Sequence, residues 1–550
     1  MDREELHRRV MLFDEYLRAG KLRFMDNVAD AIAASLTRVR IAEDGLVDPG
    51  TVDARVRSLL LAVAHFHSRD QAKSAVSLRE IQEGFYAGIE SVFGSLHQQM
   101  IQHSATPYAV AADFASNPDR VRSVDAEVLD LLSANREFWE QYGFATWCHC
   151  EDLSSLKGIF SSSLFPETRT NIVSSCGLYV DTVCLPDPLL KISAIAKLWT
   201  PQERVREVLR FGLKLLQYRD AVLADVDPPI ALILPDLSET DESYRELISS
   251  MSKNDIVKHS SVLLGRDFAS VEELREYTKY LKTAQDVIRT LARPERLLFD
   301  AENASPLEEQ IEEFMADEGR TLRLQAAGDV LYTQVLGRMQ QANDAVHRSR
   351  RARGVPVIDA ETSWTYFNWK LEYDASGSEF SGQSPLHVVR GLQRVARDRM
   401  RWIGQVPLEA LLEMRRMGAL DEIRSMLAAG VQDIAACEPS NFCATTNRVT
   451  CNIQQAFAEH EARIDELRKK KWKFAGHDIG SWVVVGTLEI AAALVASSSL
   501  SPVLGVGGFL AQQVLDAPKL REIPSKWREL RRAGARLRES ATGLLFKHSA

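Results

Sequence analysis

Leu178-Tyr-Val-Asp-Thr-Val-Cys184 and Ile230-Ala-Leu-Ile-Leu234 are short apolar runs set between stretches of helical periodicity. Runs of this length are too short for free-standing helices and suit buried strands. Phe144-Ala-Thr-Trp-Cys148 and Val262-Leu-Leu264 share the character. Between them, Thr200-Pro-Gln-Glu203 and Ser270-Val-Glu-Glu273 are capping boxes, in which a hydroxyl accepts from an orphan N–H and the glutamate reaches back. Strands alternating with helices predict a parallel or mixed sheet with crossover helices. A small α/β unit is therefore expected over 141–300.

Outward from this unit the chain reads as helix. Over 1–140, the spacing of Val52, Val56, Leu59, Leu60, Val63 and Phe66 keeps one face buried, and Ser77-Leu-Arg-Glu80 caps the next helix. Prolines at 107 and 118 divide the remainder into further helices, giving a bundle. Over 301–460, Ser305-Pro-Leu-Glu308 opens a helical domain that runs towards Arg353. Arg348, Arg350, Arg351 and Arg353 sit at its expected end, where cations complement the helix dipole. The aromatic-dense stretch 364–373 precedes Ser-Gly clusters and is expected as an extended or hairpin excursion. Pro407 to Gly418, followed by a helix ending at Gly430, has the glycine spacing of paired helices.

Composition narrows the class. The 550 residues are 45% hydrophobic and 26% charged, with net charge −9, which is ordinary for globular proteins and argues against a dedicated nucleic-acid binder. The amino terminus enters an amphipathic helix with no apolar segment of secretory type. Seven cysteines, at 148, 150, 176, 184, 437, 443 and 451, fit reduced thiols better than a disulfide framework. Cys148-His-Cys150 departs from zinc-site spacing and reads as buried thiols on strands. A cytoplasmic location, peripheral at the inner face of a membrane, is expected. Arginine outnumbers lysine 49 to 18, a usage that hints at a bacterial source.

The last 90 residues differ. Residues 461–550 carry net charge +6, so the preceding 460 carry −15. Within this basic domain, Ile479–Leu515 holds one formal charge, Glu489, and is expected to form an apolar helical hairpin divided at Ser497–Pro502. Its first half, 481–499, would span roughly 28 Å as a helix and just cross a hydrocarbon core. Its second, 503–515, would span about 20 Å and falls short. A soluble helical core is thus the first reading of the hairpin, and conditional insertion in lipid the second. Lys469, Lys470, Lys471, Trp472, Lys473, Trp482, Trp527 and Arg528 flank it as candidate contacts with an anionic surface.

Candidate chemistry lies at the strand ends. Asp187, Asp236 and Asp267 each closely follow an expected strand, and Asp181 lies within one. In an open parallel sheet ligands bind beyond the carboxyl ends of the strands. Carboxylates converging there, Asp187 and Asp236 foremost, could hold Mg²⁺ or Mn²⁺ for phosphodiester hydrolysis. The competing reading makes them helix N-caps, with Pro188 at the first helical position after Asp187. Arg390, Arg394, Arg397 and Arg401 follow helical spacing and are the candidate phosphate contacts. No Walker, dinucleotide-binding or nucleophile-elbow motif occurs.

The expected fold is a mainly α-helical multidomain protein with a small central α/β unit and a C-terminal apolar helical hairpin. The expected function is an interaction or effector protein of an accessory, phage-defence-like system. It would act through protein partners and through conditional membrane association, with no cofactor. The alternatives are a metal-dependent hydrolase or nuclease built on the aspartates, and a nucleic-acid-binding regulator built on the arginines.

Overall fold

The computed structural model describes residues 2–486 and 489–490, apart from 23–25, 163–164, 167–170, 301–304, 317–323, 325, 378–399 and 424–460. The described chain is mostly helical around a small parallel sheet. The helices are α1 (Arg3–Arg18), α2 (Asp26–Leu36), α3 (Ala54–Ala75), α4 (Leu78–Gln102), α5 (Pro107–Ala115), α6 (Pro118–Asp152), α7 (Ile172–Cys176), α8 (Pro188–Ile195) and α9 (Pro201–Leu216). They continue with α10 (Arg219–Val222), α11 (Leu237–Thr240), α12 (Glu242–Leu264), α13 (Val271–Thr278), α14 (Ala284–Thr290), α15 (Leu307–Ala316), α16 (Ala327–Ala352), α17 (Glu361–Gly377) and α18 (Leu408–Arg416).

The sheet contains β1 (Lys157–Phe160), β2 (Thr182–Pro186), β3 (Ala231–Leu234) and β4 (Val355–Ile358), all parallel, in the order β3-β2-β1-β4. The expected unit of 141–300 supplies three of these strands, and the fourth comes from 355–358. Their side chains are buried on both faces, which is why the strands read as continuous apolar runs without alternation. One face carries Phe160, Val183, Leu185, Ile233 and Val357 into the main core with α4, α5, α6 and α9. The other carries Ile159, Cys184, Leu232 and Leu234 against Trp147, Tyr244 and Ile248.

Both edges of the sheet are managed. Ile230 and Leu234 turn their carbonyls to β2, accepting from Val183 N and Asp187 N at 2.8 Å each. Ile233 therefore faces outward. There the Gln82 amide of α4 accepts from Ile233 N at 2.9 Å and donates to Ile233 O at 3.0 Å, satisfying both groups of a residue excluded from water. At the other edge Val357 O accepts from Ser161 N, so Pro356 turns its nitrogen outward, where no donor is needed by β1. β9 (Glu489–Ile490) then pairs antiparallel to Val357 and Ile358. A second ladder joins β5 (Met400–Ile403) to β8 (Val483–Gly486), and β6 (Lys473–Phe474) forms a small hairpin with β7 (His477–Asp478).

Four expectations about local structure change. Phe144–Cys148 lies inside α6, not in a strand, because a short run buried on a long helix has the same apolar signature. Val262–Leu264 is the end of α12, closed by Gly265 at φ 63°. The aromatic stretch 364–373 is helical, within α17: Trp364, Phe367 and Leu371 face one cluster, while Tyr366, Trp369 and Tyr373 face another. Burial on two sides outweighs the strand preference of the aromatics. The expected apolar hairpin does not open as a helix. Ile479–Trp482 is a 3₁₀ turn, β8 follows, and Glu489 sits in β9. Residues 491–515 lie outside the described residues, as does Gly430.

Two of the three expected capping boxes form in full. Ser77–Glu80 and Thr200–Glu203 form reciprocal boxes, and Thr106 and Asn117 cap α5 and α6. Ser270 accepts from Glu273 N, but Glu273 turns to Ala269 N. Gly328, in the first turn of α16, has no room for a side chain: a Cβ there would lie 1.7 Å from Thr278 O.

Candidate functional site

The carboxyl edge of the sheet is where β2 and β3 release the chain into helices. Asp187 follows β2 and caps α8, its Oδ1 accepting from Leu189 N at 2.9 Å. Its other oxygen accepts from Asn135 Nδ2 at 2.6 Å and Trp139 Nε1 at 2.7 Å, both from α6. The carboxyl is fully buried, and burial pushes it up to about 6 despite these donors. Asp236 follows β3 and caps α11 through Ser238 N at 2.8 Å. Burial works against its charge, but Lys191 and Arg348 outweigh it and hold the carboxyl below the usual range. The Lys191 ammonium of α8 lies 3.5 Å away, on a half-exposed side chain.

The charges continue behind Asp236. Arg348 of α16 pairs with Asp344 at 2.9 Å and donates from Nη2 to Phe160 O, at the end of β1. Tyr244 of α12 donates to Asp344 at 2.9 Å. Burial raises the Asp344 and Glu239 carboxyls. Arg136 of α6 closes the rim, 3.6 Å from Glu239 and bonded to Ser193 Oγ at 2.7 Å. Lys191, Asp236, Arg348 and Asp344 thus alternate in charge, and with the neutral Tyr244 hydroxyl they tie α8, α12 and α16 to the ends of β1 and β3.

Two of the four candidate aspartates share this edge. Asp181 stands before β2, at the opposite, amino end of the strand, about 20 Å from Asp187 at strand rise. There its Oδ2 accepts from Leu156 N at 2.7 Å, and its carbonyl accepts from Arg415. Asp267 is exposed in the loop between α12 and α13, away from any strand. Among the described residues no three His, Cys, Asp or Glu side chains are arranged to hold a metal ion.

The other candidates divide between core and surface. Lys469, Lys470, Lys471 and Lys473 are exposed around the start of the β6–β7 hairpin. Lys470 lies 3.4 Å from Glu422 and 4.5 Å over the Trp472 ring. Trp472 is half-buried beside Phe474, and Trp482 packs with Ile479 in the main core, so as placed neither ring is a free surface anchor. Arg390, Arg394, Arg397, Trp527 and Arg528 lie outside the described residues. Arg401 sits on β5, opposite Val485, so the expected helical stripe does not extend to it.

Cys148, Cys150, Cys176 and Cys184 are free and buried, but only Cys184 is on a strand. Burial pushes the Cys148 thiol up to about 12. Cys437, Cys443 and Cys451 lie outside the described residues.

Lys191, Asp344, Arg348 and Tyr244 were not singled out for this site by the sequence reading. The available signal was the i,i+4 spacing of Asp344 and Arg348 within one helix. Arg348 instead read as one of four arginines at a helix end, whereas it is buried. No protein-family model, curated protein or solved structure matches the chain.

Proposed function

We propose that this chain is a helical interaction protein that works by contact, with a basic C-terminal face addressed to an anionic membrane surface. The observation that carries the reading is the exposed cluster Lys469, Lys470, Lys471 and Lys473, presented a few residues before the chain is fastened to the body by Ile479, Trp482, β8 and β9. The uncharged, apolar sequence 491–515 follows that fastening in the chain. Each juxtamembrane lysine adds about 1 kcal/mol of attraction to an anionic leaflet. Among the described residues no helix is long and apolar enough to cross a membrane. Protein partners and a role in an accessory, phage-defence-like system belong to the same reading.

The hydrolase reading is the weaker one because the strand-end carboxylates are already engaged. Asp187 is occupied by Asn135, Trp139 and a cap, and Asp236 by Lys191 and a cap. The test is flotation of the full chain with vesicles of phosphatidylcholine alone or with 30 mol% phosphatidylglycerol (about a third, for a clear surface potential). Binding confined to the anionic vesicles and lost in Lys469→Glu/Lys471→Glu/Lys473→Glu supports the proposal. Absence of binding at low salt overturns it. Divalent-ion-dependent cleavage of nucleic acid, abolished by Asp187→Ala with Asp236→Ala, would put the hydrolase in its place.

A further inference from the structure

The helices before Val76 have a core of their own. Leu6, Phe13, Tyr16, Val47, Val52, Val56, Leu60 and Val63 form a cluster separate from the main core, built by α1, the first half of α3 and the segment between α2 and α3. From α3 the main core takes Ala72 alone among the described residues. Val76, just past α3, is buried in the main core, and much of the rest of the attachment is polar.

Down the face of α3 that meets α6 run His65, Arg69 and Lys73, one helical turn apart. Arg69 pairs with Glu151, and with Asp152 at 2.7 Å; Lys73 reaches Asp152 at 2.5 Å. Arg351 of α16 shares Glu151 at 2.9 Å and stacks over the Trp147 ring. His149 of α6 donates from Nε2 to Val76 O at 2.8 Å. The His65 ring lies edge-on to Phe144 at 6.5 Å, and its Nδ1 is buried without a hydrogen bond. Past Val76, in extended conformation, the chain turns directly into α4.

We propose that α1–α3 is an arm hinged at Val76–Ser77 and latched to α6 by this charge cluster, and that salt or acid releases it. At the centre of the latch three cations, Arg69, Lys73 and Arg351, meet Glu151 and Asp152, and at its margins Asp70 lies 3.9 Å from Lys73 and Asp241 3.8 Å from Arg351. Ionic strength weakens partly exposed pairs of this kind. A proton on His65 would add a fourth cation in the same place. Burial first, then Arg69 and Arg351, hold His65 below the ordinary histidine range, with Glu151 opposing; Cys148, its thiol pushed up by burial, stays uncharged. In the released arm His65 returns to about 6.5, so latching weakens as pH falls below that value. This inference is independent of the membrane reading.

Thermolysin, which cuts before Val and Leu, reads the hinge at Val76 and Leu78 in the full chain, with rates normalised to a short peptide substrate. From 0.05 to 0.5 M NaCl at pH 7.5 the hinge cut should accelerate ~10-fold, as Debye screening shortens. From pH 7.5 to 5.5 at low salt it should accelerate ~3-fold or more, as His65 gains its proton. Arg69→Gln should be cut fast at low salt and lose most of the salt response, while Arg69→Lys keeps it. His65→Gln should keep the salt response and lose the acid one. A wild-type rate indifferent to salt and pH overturns the proposal. So does an Arg69→Gln variant cut faster yet as salt-responsive as wild type, since that marks lost packing and not a lost latch.

Discussion

Replacing Gln82 by Met keeps a side chain of similar length in α4 and removes both bonds to the outer edge of β3. Ile233 N–H and C=O are then left in a site with no access to water, because Gln82 is 2% and Ile233 0% exposed. Each buried backbone group left unmade costs about 1–3 kcal/mol, so the pair should cost at least about 2 kcal/mol. A chain of this size does not unfold in one step, and a single unfolding free energy would misrepresent the loss. Hydrogen exchange on the strand resolves it. Val183 N and Asp187 N donate to Ile230 O and Leu234 O, so their exchange reports opening between β2 and β3. Both amides should exchange at least about 30-fold faster in Gln82→Met, from 1.4 kcal/mol per decade. Unchanged protection over 183–187 would show that water or a shifted helix replaces the lost partners, and the edge argument would fail.

Two further outcomes follow from burial. Asp187 holds its proton up to about pH 6 in the folded chain, against about 4 when unfolded. The fold therefore loses up to about 1.4 kcal/mol per pH unit between pH 4 and 6 and levels off above, as the unfolded carboxyl ionises first. Asp187→Asn lacks that slope, so its stability relative to wild type should improve from pH 4 to 6, measured by exchange over 182–189; parallel curves would refute it. Cys148, with its thiol near 12, is about one part in 10⁴ thiolate at pH 8. Mass spectrometry after brief alkylation should find Cys148, Cys150, Cys176 and Cys184 unmodified in native protein and modified in denaturant. Rapid native labelling of Cys148 would contradict its burial.

Helix boundaries were legible wherever a side chain acts within its own turn. Ser77, Thr200, Asp187 and Asp236 all cap the helices that their spacing announces, and the prolines at 107 and 118 open α5 and α6. Strand assignment failed where a short apolar run is buried for reasons of tertiary packing. Phe144–Cys148 is apolar because α6 passes under β3, where Trp147 Nε1 donates to Pro235 O. Proline 356 and the preceding arginines give Val355–Ile358 the look of a helix end, and its role as a strand depends on β1 lying beside it.

The same limit applies to the site. Asp187 and Asp236 could be named from strand-to-helix spacing. Their engagement by Asn135, Trp139 and Lys191 comes from α6 and α8, and no local pattern encodes it. Asp181 differs from them only in the end of the strand it occupies, which sequence proximity conceals.

The pairing of β9 with β4 has a consequence for biosynthesis. One flank of the parallel sheet stays uncovered by its last strand until residue 490 has been translated, long after Ile358 leaves the ribosome. At bacterial or eukaryotic elongation speeds of about 5–20 residues per second, that interval is roughly 7–26 s. A nascent chain in this window offers the outward carbonyl and amide of Ile358 to any extended polypeptide nearby. Yield during synthesis should accordingly suffer more from slow codons between 359 and 490 than from slow codons placed earlier.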